Sequence, residues 1–140
     1  RVAAGRAAIE QRWAMELVEL AERYDAAYPP SVLCHNDLVA ANVLDAGDLK
    51  LVDFEYAVLG APILDLAGLA AMNDYTAEQC ERLLNTYYRN CAAPFATDEL
   101  QGVVRMLRLI AFFWARVGER RAGGAAYSRF AEHMSELLER

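Results

Sequence analysis

Cys34-His35-Asn36-Asp37-Leu38-Val39-Ala40-Ala41-Asn42, followed by Leu51-Val52-Asp53-Phe54-Glu55, is the stretch on which the reading of this chain turns. It places one aspartate, an asparagine five residues on, and a second aspartate beyond two short apolar runs. Those runs, Asn42-Val43-Leu44 and Leu49-Lys50-Leu51-Val52, flank Asp45-Ala46-Gly47-Asp48, which has the turn chemistry of a hairpin. Val32-Leu33-Cys34 supplies a further short strand before Asp37. A hairpin there folds Asn42 and Asp53 back toward Asp37. Phosphoryl transfer to an alcohol needs such a set: a carboxylate to orient the hydroxyl and take its proton, and hard oxygen ligands for a metal that neutralises phosphate charge.

Working outward, the rest of the chain reads as helix. Ile9, Trp13, Leu17, Leu20 and Tyr24 recur at helical spacing, which predicts one helix over about 3–27, ended by Pro29-Pro30. Thr76-Ala77-Glu78-Gln79 has the form of a capping box and opens a helix to about Asn90. Thr97-Asp98-Glu99 opens another, with Met106, Ile110, Phe113, Trp114 and Val117 assigned to one apolar face. Gly123-Gly124 breaks it before a last helix over about 125–139. The expected fold class is mainly α with a small β-hairpin insert (α+β), in one domain over 1–140.

Composition narrows the partners. Hydrophobic residues make up 56% of the 140, enough for one core. A net charge of −6 with scattered arginines and a single lysine, Lys50, argues against a nucleic-acid partner. No apolar run approaches the roughly 20 residues of a membrane-spanning helix, so no membrane partner is expected. Cys34, Cys80 and Cys91 form no CxxC pair or metal spacing and read as reduced thiols in a cytoplasmic protein. The chain opens Arg1-Val2-Ala3-Ala4-Gly5 without an initiator methionine and reads as a piece of something longer.

The order of His35-x-Asp37-x-x-x-x-Asn42 and then Asp53-x-Glu55 matches the order of parts in eukaryotic-type kinases. More specifically, Cys34-His35-Asn36-Asp37-Leu38, Asn42, Leu51-Val52-Asp53-Phe54-Glu55-Tyr56-Ala57 and Asp65-Leu66-Ala67 resemble the choline/ethanolamine kinase family, over about residues 33–69. The resemblance implies the C-terminal lobe of the protein-kinase-like fold. It also implies an ATP-dependent kinase acting on a small cationic amino-alcohol, with ATP and Mg2+ as cofactors. Asp37 would then be the catalytic base, and Asn42 and Asp53 the Mg2+ ligands that bridge the ATP phosphates. Glu55, two residues beyond Asp53 on the same side of an extended segment, would be a second metal contact or an anionic wall for the cation. Asp65 would brace the catalytic loop through its backbone or cap a helix beginning near Leu66. His35 would hold the same loop.

A quaternary ammonium is held well by ring faces, and Trp114 and Tyr75 are the rings assigned to substrate, with plain packing the competing role for Trp114. The chain departs from eukaryotic choline kinases in having Ala111 and Val117 at the offsets of their second tryptophan, and Met72 where they carry a glutamate. Both departures bear on the substrate and leave Asp37, Asn42 and Asp53 untouched. Aminoglycoside and thiamine kinases share the scaffold. The uncharged segment Leu66–Met72 favours a small, singly charged cation over a polycationic aminoglycoside. A non-catalytic binding module is the third reading. No Gly-rich loop and no phosphate-pairing lysine is present, so the expected partner is an N-terminal ATP-binding lobe outside this chain. Without it the fragment is expected to be inactive and to self-associate.

Overall fold

In the computed structural model, which describes residues 2–92 and 94–140 (the backbone alone for 2–4), the elements follow in the order α1 (Val2–Ala27), β1 (Val32–Cys34), β2 (Val43–Asp45), β3 (Leu49–Leu51), β4 (Val58–Gly60), α2 (Pro62–Met72), α3 (Ala77–Tyr87), α4 (Thr97–Ala122) and α5 (Ala125–Leu138). A single 3-10 turn, Ala40–Asn42, leads into β2. The chain is mainly helical with small antiparallel strand pairs, the expected class. Its contacts gather into two compact units, residues 1–26 with 105–140, and residues 27–104.

The helical unit packs Trp13 against Leu109, Phe112, Ala115, Ala131, Met134, Leu137 and Leu138. The Trp13 and Phe112 rings meet edge to face at 5.1 Å. Arg105 ties this unit together, pairing with both oxygens of Glu16 and donating Nη1 to the Leu138 carbonyl at 2.9 Å. The expected apolar face of α4 needs correction. Met106 is buried, but Ile110, Trp114 and Val117 are 45%, 58% and 44% exposed, and the buried positions here are Leu109, Phe112 and Ala115. Helix α4 is apolar around much of its girth, so spacing alone offered two stripes and packing selected the other.

The second unit holds two separate two-stranded ribbons. Ribbon β2–β3 is the expected hairpin, pairing Val43 with Leu51 and Asp45 with Leu49, with the Asp45 carboxylate accepting the Gly47 N–H at 3.1 Å. Ribbon β1–β4 pairs Val32 with Gly60 and Cys34 with Val58, and β4 had no counterpart in the sequence reading. Helix α2 packs on β1 and α3. Its Ala67, Ala70 and Ala71 are fully buried, which lets neighbours approach closely. Core packing accounts for the lack of charge at Leu66, Ala67, Ala70 and Ala71.

Capping sets the helix limits. Thr76 and Gln79 form the reciprocal capping box, and α3 ends at Tyr87, short of the expected Asn90. Glu99 accepts the Ala96 N–H at 2.7 Å and the Tyr28 hydroxyl at 2.8 Å, fixing the start of α4. These two bonds, the backbone one foremost, hold the Glu99 carboxyl below its usual range. After α2, Asp74 takes a left-handed φ of 55° while the Tyr75 N–H reaches back to the Ala70 carbonyl at 3.0 Å, a Schellman stop.

Candidate active site

The residues of the motif lie on the segment between β1 and β2 and on the segment that follows β3. Cys34 ends β1 fully buried and donates its thiol to the Ala61 carbonyl at 3.3 Å. Burial, and then the Asp65 charge, push that thiol's pKa up. The next two backbone N–H groups, of His35 and Asn36, donate to Asp65 Oδ2 and Oδ1, each at 2.8 Å. One carboxylate thus clamps two successive amides. Asp65 lies in the first turn of α2, which begins at Pro62 with Ala61 at the cap position. The alternative of a cap on a helix starting near Leu66 is therefore corrected.

His35 is buried and works in two directions. Its Nε2 sits 2.9 Å from the Val52 carbonyl, and its Nδ1 receives the Asp37 N–H at 3.3 Å. A carbonyl only accepts, so this geometry calls for the Nε2–H tautomer. The Phe54 ring lies 4.5 Å from the imidazole. Asn36, left-handed at φ 62°, donates its side-chain amide to the Tyr56 carbonyl at 3.1 Å. Asn73, at the end of α2, donates to the Leu38 carbonyl at 3.3 Å and the Leu69 carbonyl at 2.7 Å. The sequence reading gave Asn36 and Asn73 no role. An asparagine inside such a motif, able to take the left-handed conformation, was the available signal for the first.

Asp37 and Asn42 are brought together directly. The Asn42 amide nitrogen donates to the Asp37 backbone carbonyl at 2.9 Å and to its carboxylate Oδ2 at 2.8 Å. Asn42 itself is buried at the end of the 3-10 turn. The Val52 N–H then donates to the Asn42 carbonyl at 3.1 Å. With Val52 also accepting from His35, the peptide before Asp53 is tied to both halves of the motif. Asp53 follows in a left-handed conformation, φ 65°. Non-glycine residues held there store strain that surrounding bonds must offset, a pattern that clusters at functional sites.

Glu55 departs from the expectation. Phe54–Ala57 is a turn closed by the Ala57 N–H on the Phe54 carbonyl at 3.0 Å, and Asp53 is left-handed, so no extended segment puts Glu55 on the side of Asp53. Tyr75 lines a shallow depression with Gln79, Arg82, Leu83 and Thr86, where the charged group is a guanidinium. Trp114 belongs to the helical unit, exposed, with its ring 5.3 Å from Tyr127 and 6.2 Å from Phe130.

The donor set fits a hard divalent cation. Asp37 and Asp53 form no ion pair with Lys or Arg among the described residues, and the Asn42 amide, having spent its nitrogen on Asp37, keeps its oxygen as the available ligand. No group of three or more His, Cys, Asp or Glu suited to a metal occurs among the described residues, so any such site relies on the amide. No described helix is long and apolar enough to cross a membrane.

Comparison with known proteins places this geometry in context. The chain is 29% identical over 118 residues to ethanolamine kinase 2 of Rattus norvegicus, covering 71% of this chain and 31% of that one. It is 32% identical over 94 residues to protein LicA of Haemophilus influenzae, covering 61% and 35%. Its fold is similar to the crystal structure of choline kinase LicA from Streptococcus pneumoniae, with a TM-score of 0.70 at 22% identity over 92% of this chain and 47% of that one. A LicA structure in complex with AMP matches with a TM-score of 0.71, likewise at 22% identity, covering 92% of this chain and 46% of that one. The chain thus spans about a third of the length of these curated relatives and about half of the solved chains. Residues 1–103 match the phosphotransferase enzyme family, and the chain belongs to that family.

Proposed function

We propose that the full protein transfers the γ-phosphoryl group of ATP to the hydroxyl of a small cationic amino-alcohol of the choline or ethanolamine class, in the cytoplasm. The observation that carries this reading is the Asp37–Asn42 pair, joined at 2.8 Å and stapled to the residue preceding Asp53. Asn42 occupies Asp37 Oδ2, which leaves Oδ1 to accept the substrate hydroxyl. As the hydroxyl oxygen forms its bond to phosphorus and the bond to the ADP oxygen breaks, the hydroxyl proton passes to Asp37. Asp65 and His35 do not touch the reacting atoms in this scheme. They hold the loop so that Asp37 is in place before substrate arrives, which is where much of the rate in such reactions originates.

Asn42 and Asp53 would hold Mg2+, and the ion when bound supplies positive charge to the phosphate oxygens. Glu55 is retained as a candidate metal or substrate contact on charge alone. Trp114 and Tyr75 remain the candidate rings for the cationic group. Exposure and a neighbouring Tyr127 favour Trp114, and the guanidinium beside Tyr75 disfavours the latter. The preference for an amino-alcohol over thiamine or an aminoglycoside rests on the relatives, named ethanolamine kinase and choline kinase. An N-terminal ATP-binding lobe is the proposed partner of this chain, and the exposed apolar side chains of the ribbons, Leu33, Leu59, Leu44 and Leu51, would suit such cover.

The test is a substrate panel on the full-length protein with ATP and Mg2+, reading ADP release with choline, ethanolamine, thiamine and an aminoglycoside, and Asp37→Ala as the blank. Turnover confined to choline or ethanolamine supports the reading. Turnover only of thiamine or the aminoglycoside, or of none, overturns it.

A further inference from the structure

Gly118 lies in the interior of α4, where glycine is less favourable than alanine, and its place there calls for a reason in the packing. The reason is a side chain from α5. A Cβ built on Gly118 would stand 2.4, 2.6 and 2.9 Å from Cε1, Cδ1 and Cζ of Tyr127, so the edge of a rigid ring occupies the space that any other residue would fill. At the adjacent residues the Ser128 hydroxyl of α5 donates to Glu119 of α4 at 2.8 Å, and Arg116, also on α4, holds that Glu119. That bond, one residue from Tyr127, opposes its sliding along α4 to escape a methyl group. Trp114 is one helical turn before Gly118 and so shares its face. Its ring lies 5.3 Å from Tyr127, inclined at 58°. Gly102, in the same helix, is the natural control: a Cβ there would meet nothing within 4 Å.

We propose that Gly118 is a positioning residue: its missing side chain seats Tyr127 on α4, and Tyr127 in turn braces Trp114 as an exposed ring for a cationic head group. The bracing follows from the packing alone; its purpose rests on the cation reading of Trp114 given above. Neither residue touches the reacting atoms in this assignment.

The experiment uses the 140-residue chain with Gly102→Ala, Gly118→Ala, Tyr127→Ala and the double variant Gly118→Ala/Tyr127→Ala. Thermal unfolding and tryptophan fluorescence are measured, with tetramethylammonium as the cation. Because Trp13 is 1% exposed and Trp114 58%, quenching by acrylamide reports on Trp114. Gly102→Ala is expected to raise the midpoint by about 3 °C, the usual gain for alanine over glycine in a helix. Gly118→Ala should lower it by a similar amount in the native background, from overpacking against the ring, and raise it when Tyr127 is already alanine. It should also alter Trp114 quenching and weaken tetramethylammonium binding several-fold. A rise with Gly118→Ala in both backgrounds overturns the positioning role. A sign reversal with no tetramethylammonium binding to the native chain upholds the seating of Tyr127 and overturns the cation reading. Equal tetramethylammonium affinity in the native chain and Gly118→Ala overturns the functional part of the proposal.

Discussion

The clamp made by Asp65 gives the sharpest prediction. Its two oxygens accept the N–H groups of His35 and Asn36, each at 2.8 Å, from a half-buried position in the first turn of α2. Hydrogen bonds to a charged acceptor contribute about 1.5–3 kcal/mol apiece. Taking the lower end because the site is partly solvated, Asp65→Ala should cost about 3 kcal/mol, a large fraction of the ~5–15 kcal/mol that stabilises a domain. Asp65→Asn keeps one acceptor oxygen but turns an NH2 toward the other amide, so about 2 kcal/mol is expected, nearly the same loss for an isosteric change. Urea unfolding of the chain would measure both. Hydrogen exchange would localise the effect, because the amides of residues 35 and 36 should lose protection first. In the full-length protein kcat should fall with it, since Asp65 holds the backbone of the two residues immediately before Asp37, of which Asn36 is left-handed. If both variants unfold within 0.5 kcal/mol of the native chain (a difference within the usual scatter of surface changes), and those amides stay protected, the clamp does not hold the loop.

Four further outcomes are expected. In the full-length protein, Asp37→Ala should lower kcat by about three orders of magnitude with little change in the KM for ATP, whereas Asp53→Ala should also weaken Mg–ATP binding; equal and mild effects would count against the assigned roles. The Arg105 hydrogen bond, foremost among the causes, holds the Glu16 carboxyl below its ordinary value of 4.5, so the unfolded chain binds that proton more readily. The stability it contributes is present above 4.5 and is lost as pH falls through the lowered folded value, and Arg105→Met should flatten that acid limb in pH-dependent unfolding. Cys91 is exposed while Cys34 and Cys80 are buried, so iodoacetamide should modify Cys91 alone until the chain is unfolded, as mass spectrometry would show. Finally, Leu33 and Leu59 are cross-strand partners and 67% and 68% exposed, and with Leu44 and Leu51 they should drive self-association of the isolated chain; a monomer throughout a sedimentation concentration series would refute this, and Leu59→Lys should weaken it.

What the sequence determined by itself was whatever short-range chemistry specifies. Helix starts at Thr76 and near Thr97, the β2–β3 turn at Asp45–Asp48, and the spacing of Asp37, Asn42 and Asp53 are all local patterns whose physics acts within a few residues. Only the tertiary structure decided the features that join distant residues. Strand β4 is three residues long and becomes a strand because Val58–Gly60 finds the edge of β1, a partner with no signature in its own sequence. Helix α4 offered two apolar stripes, and packing against Trp13 chose Leu109 and Phe112 for the core and left Trp114 outside. Glu55 was read by the period-two rule of an extended segment, which fails once Asp53 turns left-handed. The long-range bonds beside that turn, Val52 to Asn42 and His35 to Val52, join residues that no periodicity relates.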